Sequence, residues 1–251
     1  MSAVAVSLIT LAFVFGGALL GMLLRVTLPA QHFDSDSKDV VKLGMGLVGT
    51  MAALVLGLLI ASAKTSYDTQ NAELTEMSSK VVLLDRLLAH YGPESKEARD
   101  VLHTAVVRVL EGMSRSKHSD PFQTDASSTS GEILYDKIRD LSPSTEAQRS
   151  IQGQAINISL SLAQTRWLMF EQTANSISVP MLAILIFWLT IIFVSFGLFA
   201  PPNATVIGTL FVSSVSVSGA IFLILEMYSP YAGLIHVSTA PLRVALAHLG
   251  Q

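Results

Sequence analysis

Ser218-Gly219 lies inside a long apolar run, and a serine–glycine pair in such a setting resembles part of an intramembrane serine protease site. The base for it would have to be a histidine, yet none of the six histidines falls within an apolar stretch. Tyr67-Asp68 offers half of an intramembrane aspartyl protease, and no second aspartate motif accompanies it. His90, His103 and His118 lack metal-ligand spacing, and there is no Walker or glycine-rich phosphate loop. Asp34, Asp36 and Asp39 would attract a cation only loosely, without the glycine and terminal glutamate of a calcium loop. Cysteine is absent, which removes disulfides and thiolate metal sites. These patterns argue against an enzyme and require neither cofactor nor metal.

Two other groups of residues remain. Gly49, Ala53, Gly57 and Ala61 recur every fourth residue, a small ridge along which another helix can approach closely. Gly46 and Thr50 widen it. The ridge reads either as helix packing or as the wall of a pore at a subunit axis, with Leu54, Leu58 or Leu59 narrowing the lumen by dewetting. The second group is charged. Glu226 is the single acidic residue within an apolar stretch, where mid-bilayer charge costs about 3 kcal/mol and less near the interface. It either pairs with Lys64 or faces permeating ions. In the same stretch Thr205, Thr209, Ser213 and Ser216 share one face, with Ser214 and Ser218 on another; they hydrogen-bond helices or line an aqueous path.

The elements that would position these residues are four apolar stretches, Val4–Leu24, Leu43–Ala63, Val179–Ala200 and Ala204–Met227. Each is about 21–24 residues, and about 20 residues at ~1.5 Å rise cross the hydrocarbon core. The first lacks the basic flank of a signal peptide, so it reads as a retained span. Four spans place the N-terminus, the insert 64–178 and the tail 229–251 on one face. Of the 16 Lys and Arg, all but Arg25, Lys38, Lys42 and Arg243 lie in the insert, which favours a cytoplasmic insert and cytoplasmic termini. A net charge of −3 gives no reason to expect nucleic acid.

Beyond Lys64 the pattern continues through Tyr67, Leu74, Met77, Val81, Leu84, Leu88 and Tyr91, with Gln70 interrupting, until Gly92-Pro93 stops it. This predicts one helix from the second span into the insert. Pro93-Glu94 opens another helix with Ala98, Val101, Leu102, Ala105, Val109 and Met113 on its apolar side. Ser114–Gly131 reads as a loop and Glu132–Leu141 as a short helix. Ser144 can cap a helix carrying Ile151, Ala155, Ile158, Leu162, Thr165 and Met169 towards the third span, where Pro180 fits a first turn or a kink. The fold class is thus all-α: transmembrane helices 1 and 2 in 1–63, a cytoplasmic helical bundle in 64–178, transmembrane helices 3 and 4 in 179–228, and a C-terminal tail in 229–251.

Three stretches carry a family resemblance: Gly49-Thr50-Met51-Ala52-Ala53-Leu54-Val55-Leu56-Gly57-Leu58-Leu59 with Ala63-Lys64 and Tyr67; Leu84-Asp85-Arg86 with His90-Tyr91-Gly92-Pro93-Glu94 and Ala98-Arg99; and Leu225-Glu226-Met227 through Pro230-Tyr231, Gly233-Leu234-Ile235, Val237-Ser238 and Pro241-Leu242-Arg243. Together they resemble a widespread bacterial four-span family labelled bestrophin-like. Bestrophins are pentameric ion channels whose second segment lines the pore. The resemblance therefore implies a homo-oligomer, pentameric by that analogy, in a bacterial inner membrane, with an inorganic ion, anions first, as its cargo. No aromatic pore neck or calcium-binding residue carries over to this chain. The alternative is a non-conducting membrane scaffold or sensor whose bundle recruits a protein partner.

Overall fold

The computed structural model describes residues 2–28, 35–115, 130–174, 178–229 and 233–250, and every regular element among them is helical. In chain order these are α1 (Ala3–Thr27), α2 (Ser35–Tyr91), α3 (Lys96–Arg115), α4 (Ser130–Arg139), α5 (Glu146–Ala174), α6 (Val179–Phe199), α7 (Ala204–Met227) and α8 (Ala240–His248). α2 is one helix of 57 residues, about 85 Å at 1.5 Å per residue. It contains no proline, and its backbone ladder continues past Lys64 as the periodicity predicts. Gly92 ends it at φ 127°, a left-handed conformation that favours glycine, and Pro93 opens a single 3₁₀ turn. Ser95 Oγ donates to the carbonyls of Leu88, at 2.5 Å, and Gly92, at 2.8 Å.

The chain forms two units: Met1–Thr65 with Ile177–Tyr228, and Ser66–Ser176 with Ser229–Gln251. In the first, α1, α2, α6 and α7 are each long and apolar enough to cross a membrane. α1 packs along α6 and against α7. Backbone proximity rather than side-chain bulk makes the α1–α6 contact. A Cβ on Gly21 would press on the Val194 carbonyl and lie 2.9 Å from Leu198 N; one on Gly197 would press on the Ala18 carbonyl and lie 3.0 Å from Met22 N. Gly17 is nearly as confined, 3.1 Å from Thr190. Small residues let apolar helices come this near and gain dispersion contacts that lipid tails would otherwise supply. At the end of α6, Arg25 of α1 donates to the carbonyl of Ala200, satisfying a helix terminus with a cation. Asn203 caps α7 by accepting from Val206 N at 2.8 Å. Pro180 occupies the first turn of α6, where its missing N–H costs nothing.

The second unit buries the predicted stripe of α2, Leu74, Met77, Val81, Leu84, Leu88 and Tyr91. Gln70 is buried with them at 1% exposed, so it continues the stripe rather than breaking it. Ala98, Leu102 and Val106 of α3, Leu134 and Ile138 of α4, and Ala155 and Met169 of α5 complete most of the core. Lys80 Nζ reaches from α2 to Ser161 Oγ of α5 at 2.7 Å. Gln152 Nε2 donates to the carbonyls of Ile138, Arg139 and Leu141, which stops α4 at Arg139 before the expected Leu141. α4 also starts earlier than expected, at Ser130, whose hydroxyl accepts from Arg108. The cap of α5 is Thr145, not Ser144: Thr145 Oγ1 accepts from Gln148 N, and Gln148 Oε1 accepts from Ser144 N. Within the tail, α8 has no counterpart in the sequence reading. It buries Leu242 and Ala245, with Val237 before it, in this same core. Asp34, His118, residues 116–129 of the expected loop and Pro230-Tyr231 lie outside the described residues.

The glycine contact generates a contrast. Gly21→Leu forces α1 off α6 and lowers stability by about 3 kcal/mol, read as a fall in the melting temperature of detergent-solubilised protein. Gly57→Leu, with no atom within 4 Å of its Cβ position, leaves that melt unchanged and acts only on assembly, read by size-exclusion chromatography.

Candidate functional site

Within the first unit, α2 turns one side to its neighbours and leaves the other open. Ala52, Leu59 and Ala63 are buried in the shared core, with Met45, Val48, Val55 and Leu56 against it. Ala53, Gly57 and Ala61 lie on the opposite side, exposed, together with Gly46 and Thr50. No atom of the chain approaches the Cβ positions of Gly46 or Gly57 within 4 Å. Gly49 sits at the edge of the ridge, its Cβ position 4.0 Å from Ile192 Cδ1. The two leucines at the narrowing separate sharply: Leu58 is 59% exposed and Leu59 4%. Helical geometry turns consecutive residues by about 100°, so only Leu58 joins Leu43, Leu47 and Leu54 on the open side. The ridge is not what holds this chain's own helices together; Gly17, Gly21 and Gly197 do that. Gly17-x-x-x-Gly21 was the sequence signal for them, a small-xxx-small pair one turn apart.

At the end of α7, Glu226 is only 5% exposed, while Lys64 stands exposed on α2. The Tyr228 hydroxyl donates to Ser62 Oγ at 2.8 Å. That bond brings the last turn of α7 against the stretch of α2 that carries Lys64. The α7 hydroxyls mostly turn back on their own helix. Ser214 Oγ donates to Leu210 O at 2.7 Å, Thr209 to Thr205 O at 2.9 Å and Ser216 to Val212 O at 2.9 Å. Thr205, Thr209 and Ser216 are nevertheless exposed. Ser218 is buried and its Oγ has no hydrogen-bond partner, with no histidine in α7 to activate it.

The second unit holds a charged centre that the motif residues build. Asp85, 2% exposed, accepts from Arg99 Nε at 2.7 Å and from Nη2 at 3.0 Å, a two-pronged carboxylate–guanidinium bond between α2 and α3. Its Oδ2 also accepts from Gly250 N at 3.4 Å. The hydrogen bond to Asp85 raises the pKa of Arg99 further. Beside it, burial first and the Glu94 carboxylate second push the Tyr91 phenol up. Its hydroxyl is buried without a hydrogen-bond partner. Among the described residues no group of three or more His, Cys, Asp or Glu is placed to hold a metal ion.

An all-helical chain with four apolar helices of membrane-crossing length, and an open small-residue face on the second, has the character of a membrane protein. The chain belongs to the bestrophin-like family: the family model described as Bestrophin-like domain matches residues 12–242. This is a channel-like family. Comparison with curated proteins and with solved structures returns no match.

Asp85→Ala removes both bonds that hold Arg99, whose side chain is 24% exposed and keeps contact with water, and costs about 2 kcal/mol, measured by chemical denaturation. Tyr91→Phe has the opposite sign, because it deletes a buried hydroxyl that makes no bond. Since the folded phenol titrates above its unfolded value of about 10, its contribution is complete below pH ~10 and fades as pH rises through the raised value. Melting curves at alkaline pH should show Tyr91→Phe outlasting the parent.

Proposed function

We propose that this chain is the subunit of a homo-oligomeric ion channel in a bacterial inner membrane. In this reading α1, α2, α6 and α7 span the bilayer, and the bundle and both termini lie in the cytoplasm. The second helices of neighbouring subunits surround the conduction path, with anions the favoured cargo and five subunits the number that the family analogy implies. One observation carries the reading: α2, packed on one side, leaves Gly46, Thr50, Ala53, Gly57 and Ala61 open on the other. A face meant only for lipid gains nothing from such small side chains, whereas a neighbouring helix can settle on them. The adjacent leucines then narrow the lumen, Leu58 in preference to Leu59. Lys64, exposed on α2, puts charge at one mouth, where close-range charge selects ions by sign.

The absence of cysteine makes the test direct. Single cysteines at Leu54, Gly57, Leu58 and Leu59 are introduced, reconstituted in liposomes and treated with a charged, water-soluble thiol reagent. Leu58→Cys should react and lose halide flux on modification, and Leu59→Cys should stay unreacted. Leu58→Ser should raise flux several-fold. A chain that runs as a monomer and moves neither halide nor potassium above empty liposomes would instead be a scaffold or sensor that acts through its bundle.

A further inference from the structure

Among the described residues, the core of the second unit is not closed. A cavity of about 560 Å³ opens from the surface down to Met77 and Val81 of α2, Leu102 and Val106 of α3, and Leu242 of α8. Helix-bundle interiors are normally packed to crystal-like density, with few voids larger than a water molecule. An opening of this size, floored by core side chains, keeps apolar surface wet that an apolar body would cover. Its volume and its apolar lining with a few polar groups are those of a small-molecule site.

The mouth decides which small molecule. Trp167 of α5, 57% exposed, stands at the opening, as does Tyr135 of α4. Three charged residues line it: Glu132, Asp136 and Arg166. Asp136 is 3.1 Å from Arg139, and Arg166 is engaged in an interaction of its own. Glu132 makes no ion pair among the described residues, and it lies one helical turn from Tyr135. The Tyr135 ring already carries the Arg139 guanidinium, 5.9 Å from its centroid. An uncommitted carboxylate near the exposed Trp167, above an apolar shaft, suits a cation whose charge is spread over an organic group.

We infer that the bundle binds a small amphiphilic organic cation, a hydrophobic amine or quaternary ammonium. Its apolar body enters the shaft between α3, α4 and α5, and its charge rests at Glu132 on the side of Trp167. This site is independent of whether the chain conducts ions, and its test reads binding alone.

The chain has two tryptophans, Trp167 and Trp188. Trp188→Phe therefore leaves Trp167 as the sole emitter, at the mouth. The full-length variant, held in amphipol, is titrated with benzyltrimethylammonium, with benzenesulfonate and benzyl alcohol as anionic and neutral counterparts. The expected result is a saturable change in Trp167 emission with the cation, at least fivefold tighter than with either counterpart. Glu132→Gln, an exposed position where folding is not at stake, should erase that preference. Ala105→Phe should abolish binding by filling the shaft. Ala163→Met, at an exposed lining position, serves the same end if the larger change perturbs folding. Equal response to the sulfonate, an unchanged preference in Glu132→Gln, or undiminished binding in a folded shaft-filling variant would each overturn the assignment.

Discussion

Both units are built on one unbroken backbone ladder. Past the first turn of α2, each amide up to Tyr91 finds its partner four residues back, so the interior of the helix needs neither water nor a neighbour to satisfy it. In hydrocarbon that self-sufficiency is a condition of existence; outside it, the same ladder merely presents side chains. The two parts of α2 differ accordingly. From Leu43 to Ala63 it is apolar on nearly all sides, and beyond Lys64 it is apolar on one. α2 buries Ala52, Leu59 and Ala63 in one unit and the stripe from Leu74 to Tyr91 in the other. Gly92 ends the ladder because its φ of 127° suits no side-chain-bearing residue.

Much of this was legible in the residues. Apolar length gave the four long helices, heptad steps gave the continuity of α2, and Pro180 announced the start of α6. Where the reading failed, the deciding quantity was a three-dimensional neighbour. Gly17-x-x-x-Gly21 and the ridge from Gly49 to Ala61 are the same kind of pattern, and spacing cannot say which meets a partner within the chain. The Gly197 backbone opposite α1 is what separates them. Leu58 and Leu59 are alike by type and by position, and a turn of the helix sends one into the core. Ser144 and Thr145 are both capping residues; the hydrogen bond from Gln148 N chooses the second.

The motif around Asp85 was visible as a resemblance and silent as to role. In the fold it is a fastening: a carboxylate withdrawn from water, held by both prongs of Arg99 and by the Gly250 amide. Such a pair contributes less to net stability than its geometry suggests, because desolvation offsets attraction. What it supplies is a two-point tie between α2 and α3, one guanidinium N–H to each carboxylate oxygen.

The tail has a consequence for the order in which the molecule can be made. Residues 66–176 leave the ribosome before α6 and α7 exist, yet their core lacks Leu242 and Ala245 until α8 follows. The nascent bundle must wait, partly open, while two more apolar helices are synthesised and find their own places. Completion of the bundle thus follows the last long helix, and a chain halted after α6 lacks Leu242 and Ala245 from that core.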